Sequence, residues 1–274
     1  MRKKVIILRN TLIILLAVLI VLFVIDRLFG LTSNYRLTNN TFSSEKLPEE
    51  FNDFTIAFIS DLNIAEKGDL TRTKKIVKEL NKKDVDMVLF GGDIFDKDVF
   101  EAEQVSEILK SINSKYGKFA VTGEKDQIDI NMCTNILTEG GFEVLHNEIR
   151  NIYYNESCIN LIGLENNGDC SQLINDSNKD NFKLAIIHQP DYFDEIKKND
   201  VQLQLSGHTM GGYIKLPFIG GLIKKDLGEQ YISGRHTSQN TTLIISNGLN
   251  KEADENYRIF TSDEINIITL EKNS

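Results

Sequence analysis

Short apolar runs along the chain predict strands, and apolar residues spaced three or four apart predict helices. The predicted strands are Phe54–Ser60, Met87–Phe90, Lys118–Thr122, Ile159–Leu164, Leu184–Ile187, Leu203–Leu205, Thr242–Ile245 and Ile265–Leu270. The predicted helices cover Leu70–Leu80, Glu101–Ile112 and Cys133–Leu137. Strands and helices alternate in the first half of the chain, and strands dominate the second half. This order predicts an α/β fold in which a two-sheet sandwich is flanked by helices.

The most apolar run lies near the N-terminus. Thr11–Ile25 contains no charged residue, and with its apolar neighbours Val5–Leu8 and Leu28–Phe29 it approaches bilayer thickness at about 1.5 Å per residue. A cleaved signal peptide is the alternative, but no small-residue cleavage site follows the run. We expect residues 1–29 to form a cytoplasmic tail and a single-pass anchor in the cell membrane. Because the basic residues precede the span, the positive-inside rule places the following domain on the extracytoplasmic side.

Composition and length bound the rest of the chain. Residues 30–52 are mostly polar and predict a linker, which leaves residues 53–274 as one α/β domain. The net charge of −9 argues against nucleic acid as a partner, because a phosphate backbone selects basic surfaces. The cysteines, Cys133, Cys158 and Cys170, are too few for a disulfide framework. A Cys158–Cys170 bridge stays open as an alternative outside the cell.

Five of the predicted strands are followed directly by polar residues that can carry chemistry. They are Asp61, Gly91–Asp93, Gly123–Asp126, His188 and Gly207–His208. Each alone has an ordinary structural explanation, such as a helix cap for Asp61 or a satisfied buried imidazole for His188. In α/β sheets, however, binding sites are built at the carboxyl ends of strands. Together these residues predict a site at one edge of the fold.

In this order the segments resemble the motifs of the calcineurin-like metallophosphoesterases, D-x-H, G-D-x-x-D, G-N-H-[D/E], a lone H and G-H-x-H. The matching segments are Asp61-Leu62-Asn63, Gly92-Asp93-Ile94-Phe95-Asp96, Gly123-Glu124-Lys125-Asp126, His188 and Gly207-His208-Thr209-Met210. The resemblance runs from about residue 53 to the C-terminus and is closest to the membrane-anchored or exported bacterial branch. It implies a four-layer fold and two divalent metals that share a bridging carboxylate and a hydroxide.

The resemblance also implies a role for each matching ligand. Asp93 would bridge the two metals, and Asp61 would bind the first metal. His188 and His208 would bind the second metal. Glu124 stands where the family has an asparagine ligand of the second metal, and it keeps an oxygen donor there. The second metal would therefore be held by Asp93, Glu124, His188 and His208.

Three departures from the motifs weaken the binding of the first metal and the catalytic chemistry. Asn63 and Met210 stand where the family has histidine ligands of the first metal, and a thioether does not suit hard divalent ions. Asn63 is at best a weak ligand. Lys125 replaces the catalytic histidine and can hold phosphate as a point charge. Asp96 and Asp126 match positions behind the ligands, and helix caps are an equal alternative for both. We therefore expect one divalent ion, Mn, Fe or Zn, rather than two.

Two functions follow from the resemblance and its departures. The first is a metal-dependent phosphoesterase of weak activity that hydrolyses or binds a phosphate ester, on a small molecule or a lipid head group, at the outer face of the membrane. The second is a pseudoenzyme that keeps the fold and acts as an envelope ligand-binding or scaffold domain. The replaced motif residues favour the second function, and the surviving ligand types favour a retained metal. Tyr213, in the Gly-rich segment after His208, either lines the cleft or packs in the core.

Overall fold

The computed structural model describes residues 2–29, 35–165, 173, 180–216, 218–252, 254 and 258–273. It begins with a helix, α1 (Arg2–Phe29). Within α1, Lys3–Phe23 is long and apolar enough to cross a membrane, and none of it is buried against the rest of the molecule. The predicted N-terminal apolar helix is confirmed. A signal sequence shares these properties, so the anchor itself stays a prediction. The alternative of a Cys158–Cys170 bridge lies outside the described residues.

Two mixed six-stranded sheets pack face to face. The first contains, in spatial order, β1 (Arg36–Ser44), β14 (Glu264–Lys272), β2 (Thr55–Ile59), β3 (Met87–Phe90), β4 (Lys118–Ala120) and β5 (Glu143–Val144). The second contains β12 (Gly234–Ser238), β13 (Thr241–Ile245), β9 (Leu203–Ser206), β8 (Lys183–Ile187), β7 (Ser157–Leu164) and β6 (Glu148–Tyr154). A separate two-stranded ribbon consists of β10 (Lys215–Leu216) and β11 (Gly220–Gly221).

Helices cover the outer faces of the sandwich. They are α2 (Lys67–Leu80), α3 (Ala102–Lys110) and α4 (Ile130–Glu139) on the first sheet, and α5 (Phe193–Ile196) on the second. Short 3₁₀ helices lie at Glu49–Phe51, Asn81–Lys83, Lys125–Asp129, Pro190–Tyr192 and Met210–Gly212. The prediction of a two-sheet sandwich flanked by helices is confirmed.

The alternation of side chains along β2 explains the layers. Ile56 and Phe58 point into the core between the two sheets, whereas Ala57 and Ile59 point into the core under the helices. Successive side chains of a strand face opposite sides of the sheet, so a strand buried on both faces is apolar throughout. This is why the central strands were visible as uninterrupted apolar runs.

The segment predicted as a linker is instead largely part of the domain. Arg36–Ser44 pairs in parallel with β14 over its whole length, from Arg36 opposite Glu264 to Ser44 opposite Lys272. Leu47 and Phe51 further on are fully buried. An edge strand needs few apolar residues because its backbone hydrogen bonds supply the pairing, so polar composition was a poor guide here.

The two sheets meet at the edge where the predicted site residues lie. The strands β2, β3 and β4 run parallel in the first sheet, and β8 and β9 run parallel in the second. The imidazole Nδ1 of His188, after β8, lies 2.6 Å from the carbonyl oxygen of Gly91, after β3. This contact brings the carboxyl ends of both parallel sets to one edge.

Candidate metal centre

The loops that carry the site hold several non-glycine residues in the left-handed backbone region. Their φ angles are 54° for Asp61, 41° for Asn63, 61° for Asp93, 72° for His208 and 54° for Met210. Such conformations are costly for residues with a Cβ and persist where the surrounding structure enforces them. The sharp turns aim these side chains back across the edge of the sandwich.

Asp93 lies at the centre of the cluster and is fully buried. Its Oδ1 accepts a hydrogen bond from the backbone N–H of Lys125 at 3.0 Å. Its Oδ2 lies 3.1 Å from Nε2 of His188, yet has no hydrogen-bond partner within the described residues. Burial would raise the pKa of Asp93, but the positive charges of His188, Lys125 and Lys225 hold it well below its usual range. Asp93 is therefore an ionised carboxylate with one open oxygen.

His188 offers a second open atom. Its Nδ1 is 2.6 Å from the Gly91 carbonyl oxygen, and a carbonyl only accepts, so Nδ1 carries the proton. In the neutral ring Nε2 then has a free lone pair that can bind a metal. At metal sites, a hydrogen bond at the other ring nitrogen fixes this tautomer. Burial lowers the pKa of His188, but Asp93 and Asp61 outweigh it and raise the pKa to about 10. Without a metal the ring is a cation, and its Nε2 forms an ion pair with Asp93 Oδ2 at 3.1 Å; a metal would take the place of the Nε2 proton.

His208 presents a third open atom from the next strand. Its Nε2 is 2.7 Å from the carbonyl oxygen of Asp226, which leaves Nδ1 as the acceptor. This Nδ1 is buried, has no hydrogen-bond partner among the residues described, and lies 3.4 Å from Oε1 of Glu124. Burial, with the charges of His188 and Lys225, lowers the pKa of His208 to about 3. The ring is therefore neutral, as a metal ligand must be.

Asp61 closes the cluster on the side of the first sheet. Both of its carboxylate oxygens accept from the backbone N–H of His208 at 3.2 Å, and burial raises its pKa. Within the described residues, the group whose ligand atoms lie within 4.8 Å of one another is Asp61, Asp93 and His188. The sequence analysis instead assigned Glu124 and His208, together with Asp93 and His188, to the second metal. Glu124 lies beside His208 at the half-exposed rim.

Asp126 has a different role from the candidate metal ligands. Its carboxylate accepts hydrogen bonds from the backbone N–H groups of Asp93, Gly123 and Ile94 at 2.8, 2.8 and 2.9 Å. It is fully buried, and burial raises its pKa. Asp126 thus ties the loop after β3 to the loop after β4 and fixes the position of Asp93. Of the two alternatives that the sequence left open, this geometry fits the position behind the ligands.

The replaced motif residues contact one another. The amide nitrogen of Asn63 lies 3.8 Å from the sulfur of Met210, and its Oδ1 accepts from the ammonium of Lys125 at 3.1 Å. The buried guanidinium of Arg258 also lies 3.8 Å from that sulfur. The side-chain oxygen of Asn63, which the sequence offered as a weak ligand, therefore already accepts a hydrogen bond from a cation.

Sequence reasoning missed a charged group beside the centre, Lys225 and Glu252. Glu252 Oε1 lies 2.6 Å from the ammonium of Lys125 and 2.7 Å from that of Lys225, and its other oxygen accepts from the hydroxyl of Tyr213. The Lys225 ammonium is also 3.6 Å from Glu124. No motif marks Lys225 or Glu252, because they lie in loops far along the chain. Tyr213 is buried and bonded to the rim of the site.

Lys125 is held by acidic residues on two sides. Its ammonium lies 2.5 Å from Asp96 and 2.6 Å from Glu252. Burial lowers its pKa, but these carboxylates outweigh burial and raise the pKa above its ordinary value. The pKa of Lys225 is raised in the same way, chiefly by Glu252. Lys125 and Lys225 therefore remain positively charged beside the candidate metal centre.

The calcineurin-like phosphoesterase family model matches residues 54–212, more than half of the chain. The chain therefore belongs to the calcineurin-like phosphoesterase family. Members of this family use divalent metals, and the buried cluster of Asp61, Asp93 and His188 is a candidate site for one. The predicted family membership is confirmed.

Among its relatives, the chain is 28% identical over 242 residues to the uncharacterized metallophosphoesterase YkuE of Bacillus subtilis, covering 85% of this chain and 84% of that protein. It is 25% identical over 207 residues to a transmembrane protein with metallophosphoesterase domain from Danio rerio, covering 66% of this chain and 47% of that protein. This chain thus spans about half the length of the zebrafish protein. The crystal structure of TT1561 from Thermus thermophilus aligns with a TM-score of 0.46 and 12% identity, covering 71% of this chain and 89% of that one.

Proposed function

We propose that the protein holds one divalent ion and binds a phosphate ester beside it, with slow hydrolysis as its reaction. The observation that carries the proposal is a set of three buried atoms without hydrogen-bond partners in the described part of the chain, Asp93 Oδ2, His188 Nε2 and His208 Nδ1. Buried polar atoms are rarely left unpaired, and two of these residues, Asp93 and His188, form with Asp61 the group whose ligand atoms lie within 4.8 Å of one another, so the site suggests a missing ligand.

The donor set suits a divalent ion. The donors are two imidazole nitrogens and the carboxylate of Asp93. The carboxylates of Asp61 and Glu124 lie beside them. Such mixed nitrogen and oxygen donors fit Zn²⁺, Mn²⁺ or Fe²⁺. A bound divalent ion would polarise a phosphoryl oxygen and lower the pKa of a water molecule. The carbonyl groups of Gly91 and Asp226 would keep both imidazole rings in the orientation that binding needs.

We infer one ion rather than two from the charges around the position of the first metal. Its neighbours are the thioether of Met210, the amide of Asn63 and the cations Lys125 and Arg258. At about 4 Å and an effective dielectric of about 20, each unit positive charge opposes another by roughly 4 kcal/mol, and a divalent ion feels more. The ammonium groups of Lys125 and Lys225 would instead bind phosphate oxygens, in place of the charge of the second ion.

The substrate class that fits this centre is a phosphate ester, on a small molecule or a lipid head group. We place the domain at the outer face of the cell membrane, held there by α1. The support for this location is the apolar segment Lys3–Phe23 together with the basic residues at the start of the chain.

A second candidate, a pseudoenzyme that binds an envelope ligand or partner without turnover, is favoured by the surroundings of Lys125. An ammonium that is bonded to Asp96 and Glu252, with a raised pKa, is a poor proton donor near neutral pH. The catalytic histidine of the family motif is thus replaced by a residue that can bind phosphate and cannot readily protonate a leaving group.

The metal content of the purified full chain tests the proposal. We expect one equivalent of divalent metal by elemental mass spectrometry. His188→Ala or His208→Ala should abolish metal retention, because each removes an open nitrogen donor. Asn63→Ala and Met210→Ala are the matched controls and should change it little. Two tightly held equivalents with brisk hydrolysis of an aryl phosphodiester would contradict the one-metal proposal.

Turnover separates the two candidate functions. Slow hydrolysis of bis(p-nitrophenyl) phosphate that rises with bound metal would support the phosphoesterase. One equivalent of metal with no turnover would support the pseudoenzyme. Restoring the family residues together, as Asn63→His, Glu124→Asn, Lys125→His and Met210→His, should raise both metal stoichiometry and phosphodiesterase activity.

A further inference from the structure

The loop that includes β10 and β11 exposes three large apolar side chains close together. Phe218, Ile219 and Leu222 have relative exposures of 108%, 71% and 46%. Single exposed apolar residues are ordinary, but several in one short segment mark a contact surface. Phe218 also has a φ angle of 67°, a conformation that is unfavourable for a bulky residue. The fold thus presents an aromatic ring to the outside at a conformational cost.

This loop is tied to the candidate metal centre on both of its sides. The backbone N–H of Lys215 donates to the carbonyl of Ile259 at 2.9 Å, and that of Ile223 donates to the carbonyl of Gly212 at 3.2 Å. Gly212 ends the 3₁₀ helix that begins at Met210. Lys225, shortly after Ile223, reaches Glu252 at 2.7 Å. The apolar tip therefore stands at the same edge of the sandwich as the site.

The topology brings the N-terminal helix to this edge as well. The strand β14 is antiparallel to β2, and β1 is parallel to β14. The strand β1 therefore begins at the carboxyl end of β2, where Asp61 lies. At that point the backbone N–H of Arg36 donates to the carbonyl of Asp263 at 2.6 Å. From Phe29, the end of α1, to Arg36 the chain advances by seven residues, which span about 25 Å at most. If α1 crosses a bilayer, that bilayer lies close to the site edge.

We propose that Phe218, Ile219 and Leu222 insert into the bilayer that holds α1, so that the candidate centre faces the phosphate groups of lipids. The apolar tip would lie at the boundary between head groups and acyl chains, where interfacial apolar side chains are buried. Lys215 and the exposed Lys224 flank the tip and complement an anionic lipid surface. The inference that the tip inserts rests on its exposed apolar side chains and on the start of β1 at the site edge. The choice of lipid phosphate as substrate class rests on the proposed function.

The absence of tryptophan from the sequence allows a direct test. Phe218→Trp places one reporter at the tip. Tyr153→Trp is the matched control, on β6 in the second sheet, where Tyr153 is 67% exposed. The full-length variants are reconstituted through α1 into phosphatidylglycerol-containing vesicles with brominated acyl chains. We expect a blue-shifted emission that the bromine quenches for Phe218→Trp, and a water-like, unquenched emission for Tyr153→Trp. A water-like emission from both variants in vesicles that co-float with the protein would overturn the insertion.

A second arm separates this inference from the proposed function. Replacing Phe218, Ile219 and Leu222 together by serine should lower the hydrolysis of vesicle-borne phosphatidate several-fold. Hydrolysis of soluble p-nitrophenyl phosphate by the same variant should stay unchanged, as should both activities of Tyr153→Ser. Equal loss on both substrates would overturn a membrane role for the tip. If the unmodified chain hydrolyses neither of these monoesters nor bis(p-nitrophenyl) phosphate, the phosphoesterase proposal fails, and the quenching result still decides the insertion.

Discussion

At the scale of single residues, one carboxylate controls the charge beside the candidate centre. Glu252 is nearly buried and lies between the ammonium groups of Lys125 and Lys225. Without it, Lys125 would keep Asp96 and Lys225 only the more distant Glu124, so two poorly solvated cations would be left with too little negative charge, which is costly. Glu252 therefore makes it possible for the fold to keep two lysines beside the candidate metal centre.

The first residue-scale prediction concerns Glu252→Gln and its pH dependence. Burial raises the pKa of Glu252, but Lys225 and Lys125 outweigh it and lower the pKa from 4.5 to about 2. Because the folded pKa lies below the unfolded one, the carboxylate stabilises the fold above about pH 4.5. This contribution disappears as the pH falls through about 2, and near neutral pH it is on the order of 3 kcal/mol.

Urea unfolding of the full chain in detergent, followed by circular dichroism over a pH series, measures this contribution. Glu252→Gln should lower the free energy of unfolding at pH 7, and its difference from the unmodified chain should shrink between about pH 4.5 and pH 2. Glu156→Gln, at an exposed turn, is the control. A difference that is the same at every pH would show that the lysines do not stabilise the ionised form.

At the scale of elements, the segment before β2 decides where the domain begins. Phe51 is fully buried, and its ring centre lies 5.1 Å from that of Phe54 and 5.5 Å from that of Tyr154. Phe42, on β1, packs against Phe182, which directly precedes β8 of the second sheet. A segment that supplies side chains to the core between the sheets is structurally part of the domain.

We expect Phe51→Ala to lower the free energy of unfolding by about 3–5 kcal/mol, because it leaves a cavity between the sheets. The same substitution at the exposed Phe218 should change it by less than about 0.5 kcal/mol. Urea unfolding of the three full-length chains gives both values. Similar values for the two variants would indicate that residues 36–51 act as a linker after all.

The elements that sequence reasoning found and missed differ in burial. The central strands β2, β3, β8 and β9 are buried at every position except Thr55, and their apolar runs predicted them. The strands β1, β6 and β12 are half-solvated, and their polar sequences gave no signal. Edge and outer strands are held by backbone pairing, which leaves little trace in composition.

At the scale of the whole molecule, the open question is the side of the membrane on which the domain lies. We expect the domain to be extracytoplasmic, because Arg2, Lys3, Lys4 and Arg9 lie at the start of the chain with no acidic residue among them. Protease added to intact cells or protoplasts should digest the domain. Protection until lysis would place it in the cytoplasm, and a mature chain that begins near residue 30 would show that the helix is a cleaved signal.

The sequence by itself determined the central sheets, the N-terminal apolar helix and the identity of most residues at the site edge. It could do so because buried strands are apolar along their whole length, and because motif residues directly follow those strands. Only the tertiary structure decided that Asp61, Asp93 and His188 form the tight cluster, and that Lys225 and Glu252 join it. It also decided that the chain enters the domain at the site edge. Such contacts join residues that are far apart along the chain, such as Asp61 and His208 at 147 positions, and no local period or spacing records them.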